Sequence, residues 1–414
     1  MPRDHAVVAL DVGTTKVATL IGEVEPDRAL NIVGVGTAPS QGMRKGVVVN
    51  IDEVATSISE AIEQCVRISG YRVEAAFVGV TGAHVEGLNT KGVVAVSSNA
   101  QEIAHSDVDR AMEAARVQAI SADREVLHVL PRGYTLDGQE GVRDPVGMSG
   151  HRLEAQIHIV TAATTAVHNL VRAVRRAGVN IDKLVLQPLA AAEAVLTAAE
   201  RDVGVALVDI GGGTTDIAVF QDLGVAYTST LPVGGSHITN DLALGLRAPV
   251  SLAEEVKIQY GSTIAADFEA GDVVDLKTYD NEEGEPVSRR LIAEIIESRM
   301  QEIFALVKRE LDRAGFGRLL PAGVVLTGGT AELKDIRRLG RDVLGMPVRI
   351  GKPSGVVGLT DTVTRPAYAT SVGLLLWARR TEIDPAAVVS HSTAPQWRAD
   401  GTGKITRWLR EFLP

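Results

Sequence analysis

Two segments roughly two hundred residues apart, ALDVGTTKVATLI (residues 9–21) and LVDIGGGTTDIAVF (residues 207–220), repeat one pattern: an apolar strand ending in aspartate, a Gly/Thr turn and a second apolar strand. Glycine lets backbone come close to whatever the turn faces. Strands this apolar belong in a core rather than in a surface hairpin. A chain carrying this unit twice is constrained to two lobes of similar build. With 414 residues and 45% hydrophobic content it can bury a core for each, and with 4% aromatic residues those cores must be aliphatic.

Between and around the repeats, residues 51–69 space their apolar side chains by three and four, predicting an amphipathic helix, and residues 75–80 read as a strand. Gly82 and Gly87 then interrupt the pattern, and a more polar stretch follows to about residue 155. Within it VVAVSS, DVDRAMEAARVQA, EVLHVLP and LEAQIHIVTA predict a small strand-helix-strand-strand unit, inserted into the first lobe. Helices are expected at 164–177 and 188–200, and a buried strand at 205–210. A helix at AEEVKIQYG, a hairpin-like DNEEGEP and the long helix SRRLIAEIIESRMQEIFALVKREL follow, before a closing strand at 324–329.

Net charge and cysteine content exclude several functions. At −10 the chain is a poor nucleic-acid binder, because a phosphate backbone selects clustered Lys and Arg. The single cysteine, Cys65, rules out an internal disulfide or a cysteine zinc cluster and reads as a core residue of the 51–69 helix. The opening MPRDHAVVALDVG runs from a five-residue polar start straight into a short apolar strand, too short for a signal peptide or a spanning helix, and predicts a cytoplasmic chain.

The turns carry the chemistry. In VVALDVGTTK the strand ends at Asp11, Gly13 opens the turn, the hydroxyls of Thr14 and Thr15 can wrap phosphate oxygens, and Lys16 adds a positive charge. Alone this is equally an ordinary hairpin turn; the second loop, Gly211, Gly212, Gly213, Thr214 and Thr215 after Asp209, corroborates it. Asp11 and Asp209 end matching strands, so facing lobes would bring both carboxylates to one Mg²⁺ held through water; otherwise they are turn-initiating aspartates. Gly234 and Gly235 make another close-approach turn, and Gly328, Gly329 and Thr330 end a strand where a helix begins. Glu254 and Lys257, three apart on a helix, could grip a ribose and base or form a plain surface ion pair.

In this order these segments, with small-residue helices QPLAAAEAVL (187–196) and PAYATSVGLLLWA (366–378) as connectors, resemble the five motifs of the actin, sugar-kinase and heat-shock-chaperone ATPase superfamily. The likeness spans residues 6–378, and QPLAAAEAVL, VDIGGGTTDIAVF, PVGGSHITNDLA, AEEVKIQYG and RLIAEIIESRMQEIF place it nearest the bacterial cell-division actins. The resemblance implies an α/β, two-lobed actin-like (ribonuclease-H-like duplicated) fold with an inserted 1C subdomain. It divides the chain into subdomain 1A (1–82, 163–200 and 361–380), 1C (83–162), 2A (201–226 and 305–360) and 2B (227–304), then a linker (381–402) and an amphipathic helix (403–414).

That last segment rests on its own pattern. In GKITRWLREFLP, Ile405, Trp408, Leu409, Phe412 and Leu413 fall on one helical face, with Lys404, Arg407 and Arg410 off it. A helix so short is marginal in water, but an anionic membrane surface would accept the apolar face and attract the cations. The alternative is a helix docked on the protein's own core. One such anchor binds reversibly, so lasting attachment calls for several on a filament.

The resemblance further implies bound ATP and Mg²⁺, Gln187 orienting an attacking water, and slow hydrolysis used as a conformational and polymerisation switch, since glutamine cannot accept a substrate proton. Glu193 is the alternative base. It implies self-assembly into filaments at the cytoplasmic face of the membrane at the division site, and docking of the C-terminal tail of the tubulin-like protein FtsZ on 2B, along the helix Arg289 to Ala305 with Arg290, Glu297 and Arg299, other division proteins being further partners. On composition alone that helix face is simply solvated. Two rivals share the fold: a pilus-assembly ATPase of the PilM type and a sugar or acid kinase.

Overall fold

The computed structural model describes residues 6–25, 29–97, 102–116, 120–269, 271–276 and 284–383. The doubled motif is a doubled lobe. The first sheet runs, edge to edge, Asn180–Leu186, Ala75–Val80, Ala6–Val12, Lys16–Val24, Leu30–Pro39 and the short Val357–Gly358; the second runs Val348–Ile350, Val324–Thr327, Val205–Ile210, Thr215–Gln221 and Gly224–Leu231. In each, the strand ending at the loop aspartate lies inside the sheet, antiparallel to the strand that follows the loop and parallel to its other neighbour. This repetition sets both loops at equivalent strand ends.

Helix Ile51–Ser69 forms where its spacing requires. Asn50 accepts the N–H groups of Asp52 and Glu53, Gly70 closes the helix in the left-handed conformation, and Val54, Ile58, Ala61 and Cys65 face inward. Cys65 is fully buried, and burial pushes its thiol up to about 12, as a core cysteine requires. The strand Leu30–Pro39 was not expected because Gly34 and Gly36 interrupt an inward face otherwise made by Leu30, Ile32 and Ala38. A methyl on Gly36 would sit 1.9 Å from the Ala61 carbonyl of the helix above. The strand Asn180–Leu186 likewise separates two helices, Thr164–Arg176 and Gln187–Val195, and its polar, half-buried first half hides it from a periodicity argument.

The two small-residue helices are Gln187–Val195 and Ala369–Ile383, the latter led by the turn Pro366–Tyr368. They pack so closely that a methyl on Gly373 would lie 1.8 Å from the Ala190 oxygen. Alanine and glycine let these helices cross between the lobes.

The inserted unit is a sheet ordered Val85–Ala95, Arg152–Ala163, Arg124–Leu136, Gln139–Val142, with helix His105–Arg116 beside it and a core of its own around Met112, Leu153, Ile157 and Ile159. It differs from the expected four-element unit in two ways. Its first strand starts at Val85 and runs through Gly87, and a short strand Gln139–Val142 is added. Gly87 marks a close approach rather than a break, since a methyl there would lie 2.4 Å from Thr228 Oγ1 of the second lobe.

The insert, continuous in chain with the first lobe, is thereby fastened to the second. Asn89 Nδ2 donates to the Ala226 carbonyl at 3.0 Å. His158 Nδ1 donates to Asn89 Oδ1 at 2.6 Å and its Nε2 accepts from Thr228 Oγ1 at 2.9 Å. Burial holds His158 down to about 3, so the ring is neutral and this tautomer satisfies every partner. Thr228→Val keeps the shape and strands the buried Nε2. It should cost about 1–3 kcal/mol, read as a lower urea midpoint at unchanged slope; an unchanged midpoint would show that the lock contributes nothing.

Candidate functional site

The same hydrogen bond closes both loops: Gly13 N–H donates to Lys16 O and Gly211 N–H to Thr214 O, each at 2.9 Å. Their tips meet across the interlobe cleft. A Cβ on Gly212 would lie 2.4 Å from Thr15 Cγ2, and one on Gly213 would lie 2.4 Å from Thr14 Oγ1. Side chains on one loop thus interlock with their absence on the other, around a cleft of about 900 Å³ lined by Asp11, Gln187, Asp209 and both loops. That volume suits an elongated polar ligand.

Buried carboxylates dominate its floor. Asp11 accepts from Gln187 Nε2 and from Ser371 Oγ, each at 3.1 Å, and Asp209 accepts from Thr370 Oγ1 at 3.0 Å. Burial raises Asp11 above the usual carboxylate range, and burial together with the Asp216 carboxylate pushes Asp209 up to about 7. Asp216 stands directly across the strand pair from Asp209, where the first lobe has Ala18 opposite Asp11. It lines the same cleft and takes hydroxyls from Thr81 of the first lobe and from Thr230 and Thr214 of the second, and burial raises it too. Sequence reasoning missed Asp216; its signal was an aspartate placed inside an otherwise apolar strand.

The remaining expected residues divide. Thr330 donates to the Gly211 carbonyl at 3.1 Å, and Gly235 N–H donates to the same carbonyl at 2.9 Å, joining these turns to the triple-glycine loop. Lys257 Nζ donates to Glu254 Oε2 at 2.6 Å and to Thr239 Oγ1 at 2.9 Å, with Lys257 nearly buried and both ends of the pair lining the cleft, so this is no surface ion pair. Gly329 lines the cleft as well. Gly234 and Gly328 support it from behind: a methyl on Gly234 would strike the Gly211 carbonyl, and one on Gly328, at φ +87°, would strike Asp209 Oδ1.

Several residues go elsewhere. Thr215 is fully buried with its hydroxyl spent on the Val233 carbonyl at 2.8 Å, because alternation along the strand turns it away from the cleft. Lys16 lines the cleft but lies 3.5 Å over the Tyr368 ring and donates to Ala367 O at 2.8 Å, which ties it to the second connecting helix. Glu193 pairs with Arg201 and Arg380 and lines a separate cavity of about 350 Å³, which removes it as a base for this site. On helix Arg289–Arg313, Arg290 pairs with Glu294, Arg299 makes a two-pronged pair with Asp241, and Glu297 accepts the Ala265 N–H. Arg299 and Glu297 are thus committed within the protein, while Arg290 remains exposed. Lys404, Ile405, Arg407, Trp408, Leu409, Arg410, Phe412 and Leu413 lie outside the described residues. Among those residues no helix is long and apolar enough to cross a membrane.

A family model described as Cell division protein FtsA matches residues 206–373, and one described as SHS2 domain inserted in FTSA matches residues 82–161. The chain is 44% identical to Cell division protein FtsA of Pseudomonas aeruginosa, over 98% of this chain and 97% of that protein. It is 35% identical to FtsA of Escherichia coli K12, over 98% and 97%. The FtsA of Bacillus subtilis is 40% identical, over 92% and 85%. Among solved structures it is similar to a PilM–PilN type IV pilus biogenesis complex (TM-score 0.64, 17% identity, 91% of this chain and 99% of that one). It is also similar to an MreB of Spiroplasma citri bound to ADP (TM-score 0.55, 12% identity, 92% and 99%). At such identities the structural likeness speaks to fold, which is two-lobed and actin-like with an inserted domain.

Proposed function

We propose, from the premise that the chain belongs to the FtsA family of cell-division proteins, that it is an ATP-binding switch that polymerises on the inner face of the membrane and tethers FtsZ to it. One observation carries the nucleotide: two interlocking Gly/Thr loops and the residues Asp11, Gln187 and Asp209 line a single cleft. The loops with Thr14, Thr15 and Thr214 would wrap the phosphates, and Glu254 and Lys257 would meet the ribose and base. Gln187, held by Asp11, is placed to orient a water, and glutamine suits slow hydrolysis.

The donor set fits a Mg²⁺ ion held through water. Among the described residues no three acidic or imidazole groups converge as a direct cage, yet three buried carboxylates raised above their usual range face one cleft and would be relieved by a cation. Bound there, the ion would offset charge on the phosphates. Asp11 and Asp209 would hold its waters, and Asp216, fixed by three threonine hydroxyls, would keep the charge of the second lobe in place.

The proposed subdomains have 1C as the inserted unit and 2B bearing helix Arg289–Arg313 as far as Phe304, where the exposed Arg290 and Leu291 are the docking candidates for the FtsZ tail. The expected 226/227 limit falls inside strand Gly224–Leu231, which belongs whole to the second-lobe sheet. The likeness to PilM speaks to fold and not to a role in pilus assembly. Membrane attachment is assigned to residues 403–414. Their deletion should abolish sedimentation with anionic liposomes while leaving ATP binding intact; continued sedimentation would refute the anchor.

A further inference from the structure

We propose that Arg289 is the base-stacking residue of the cleft, the side chain that sets a preference for purine over pyrimidine nucleotides; this rests on reading the cleft as a nucleotide site. Arg289 is the first residue of the long helix Arg289–Arg313, yet it lines the cleft together with Glu254, Lys257 and Tyr260. Its backbone is pinned by donation of its N–H to the Asp272 carbonyl at 2.8 Å. The guanidinium lies 4.7 Å from the centroid of the Phe268 ring, which is itself buried against Ala265 and Ala293.

Two features separate this arginine from its neighbours on the same helix. Arg290 and Arg299 are paired with carboxylates, whereas Arg289 Nε is buried with no hydrogen-bond partner. Its Nε is held by no carboxylate, so the guanidinium is not tied into an ion pair as its neighbours are. The planar guanidinium lies over Phe268 at the wall of the cleft. A flat heterocycle in the cleft can stack on the guanidinium plane, which a lysine at this position would not offer. Lys334, whose Nζ lies 5.9 Å from the same ring centroid, also lines the cleft and adds charge without a plane. Because stacking grows with shared area, a purine gains more than a pyrimidine.

The test is calorimetric titration of the full-length wild type, Arg289→Ala and Arg289→Lys with MgATP, MgUTP and inorganic tripolyphosphate, with circular dichroism to verify folding. Arg289→Ala should weaken ATP roughly 30-fold and UTP much less, so that the ATP-over-UTP preference collapses while tripolyphosphate is unmoved. Arg289→Lys should behave like the alanine variant. The proposal is overturned if ATP is unaffected, if tripolyphosphate weakens as much as ATP, or if the lysine variant binds ATP as the wild type does. Gly213→Val separates this outcome from failure of the cleft reading. If ATP affinity survives that substitution the nucleotide lies elsewhere and both readings fall, whereas loss with Gly213→Val and none with Arg289→Ala overturns only the stacking role.

Discussion

Gly213→Val should lower ATP affinity by at least roughly 100-fold in a protein that still folds. The effect is steric and acts between lobes. A Cβ at this position would lie 2.4 Å from Thr14 Oγ1 and 2.8 Å from Thr14 Cγ2, far inside van der Waals contact. Gly213 does not use a positive φ, so its own backbone tolerates a side chain and the strain falls on the loop opposite. The loops would part by about an ångström, and misplacing a binding constellation by that much costs about two orders of magnitude. Titration with MgATP, beside a urea melt to confirm folding, checks this. Affinity within about threefold of wild type would show that the nucleotide does not lie between these loops and would overturn the cleft reading.

Asp209→Asn should make the nucleotide-free protein more stable at neutral pH and above. In the folded chain Asp209 is pushed up to about 7 from its ordinary 3.8, first by burial and then by the carboxylate of Asp216. The sign follows from proton binding. Between those two values the folded state keeps a proton that the unfolded state has lost, so stability falls as pH rises through the window, and the whole penalty is present above it. Its size is a few kcal/mol, since each pH unit is about 1.4 kcal/mol. Asparagine can accept from Thr370 without carrying charge, so the variant should gain most near pH 8, little near roughly pH 4, and flatten the slope between. Urea midpoints across that range measure it, and a slope equal to wild type would mean that Asp209 is not the group responsible. The same substitution should weaken MgATP, a trade expected where charge is held against burial for function.

Stability and binding pull in opposite directions here because three carboxylates share one buried floor. A cleft designed only to fold would carry Ala or Val at these positions, as Ala18 stands opposite Asp11. The insert, continuous in chain with the first lobe, is locked to the second through His158, Asn89 and Thr228.

Much of this was written locally. An apolar strand, an aspartate, a glycine turn and a second strand occupy consecutive residues, so the duplicated lobes, the two loops, and Asp11 and Asp209 were legible without coordinates, while Gln187 came only through the family resemblance. The small residues of both connecting helices were legible for the same reason: a helix that must cross another closely shows it in its own composition. What only the tertiary structure decided were the partners and the faces. Thr81 meets Asp216 across 135 residues of chain and Lys16 meets Ala367 across 351, and no local pattern encodes such pairings. Strand Leu30–Pro39 was not legible because Gly34 and Gly36 break its inward apolar face, where they make room for the backbone of the helix packed above them. Thr215 turned inward and Arg289 turned to the cleft although their types suggested the reverse, because a side chain's direction is set by the sheet or helix on which it stands and by what that element packs against.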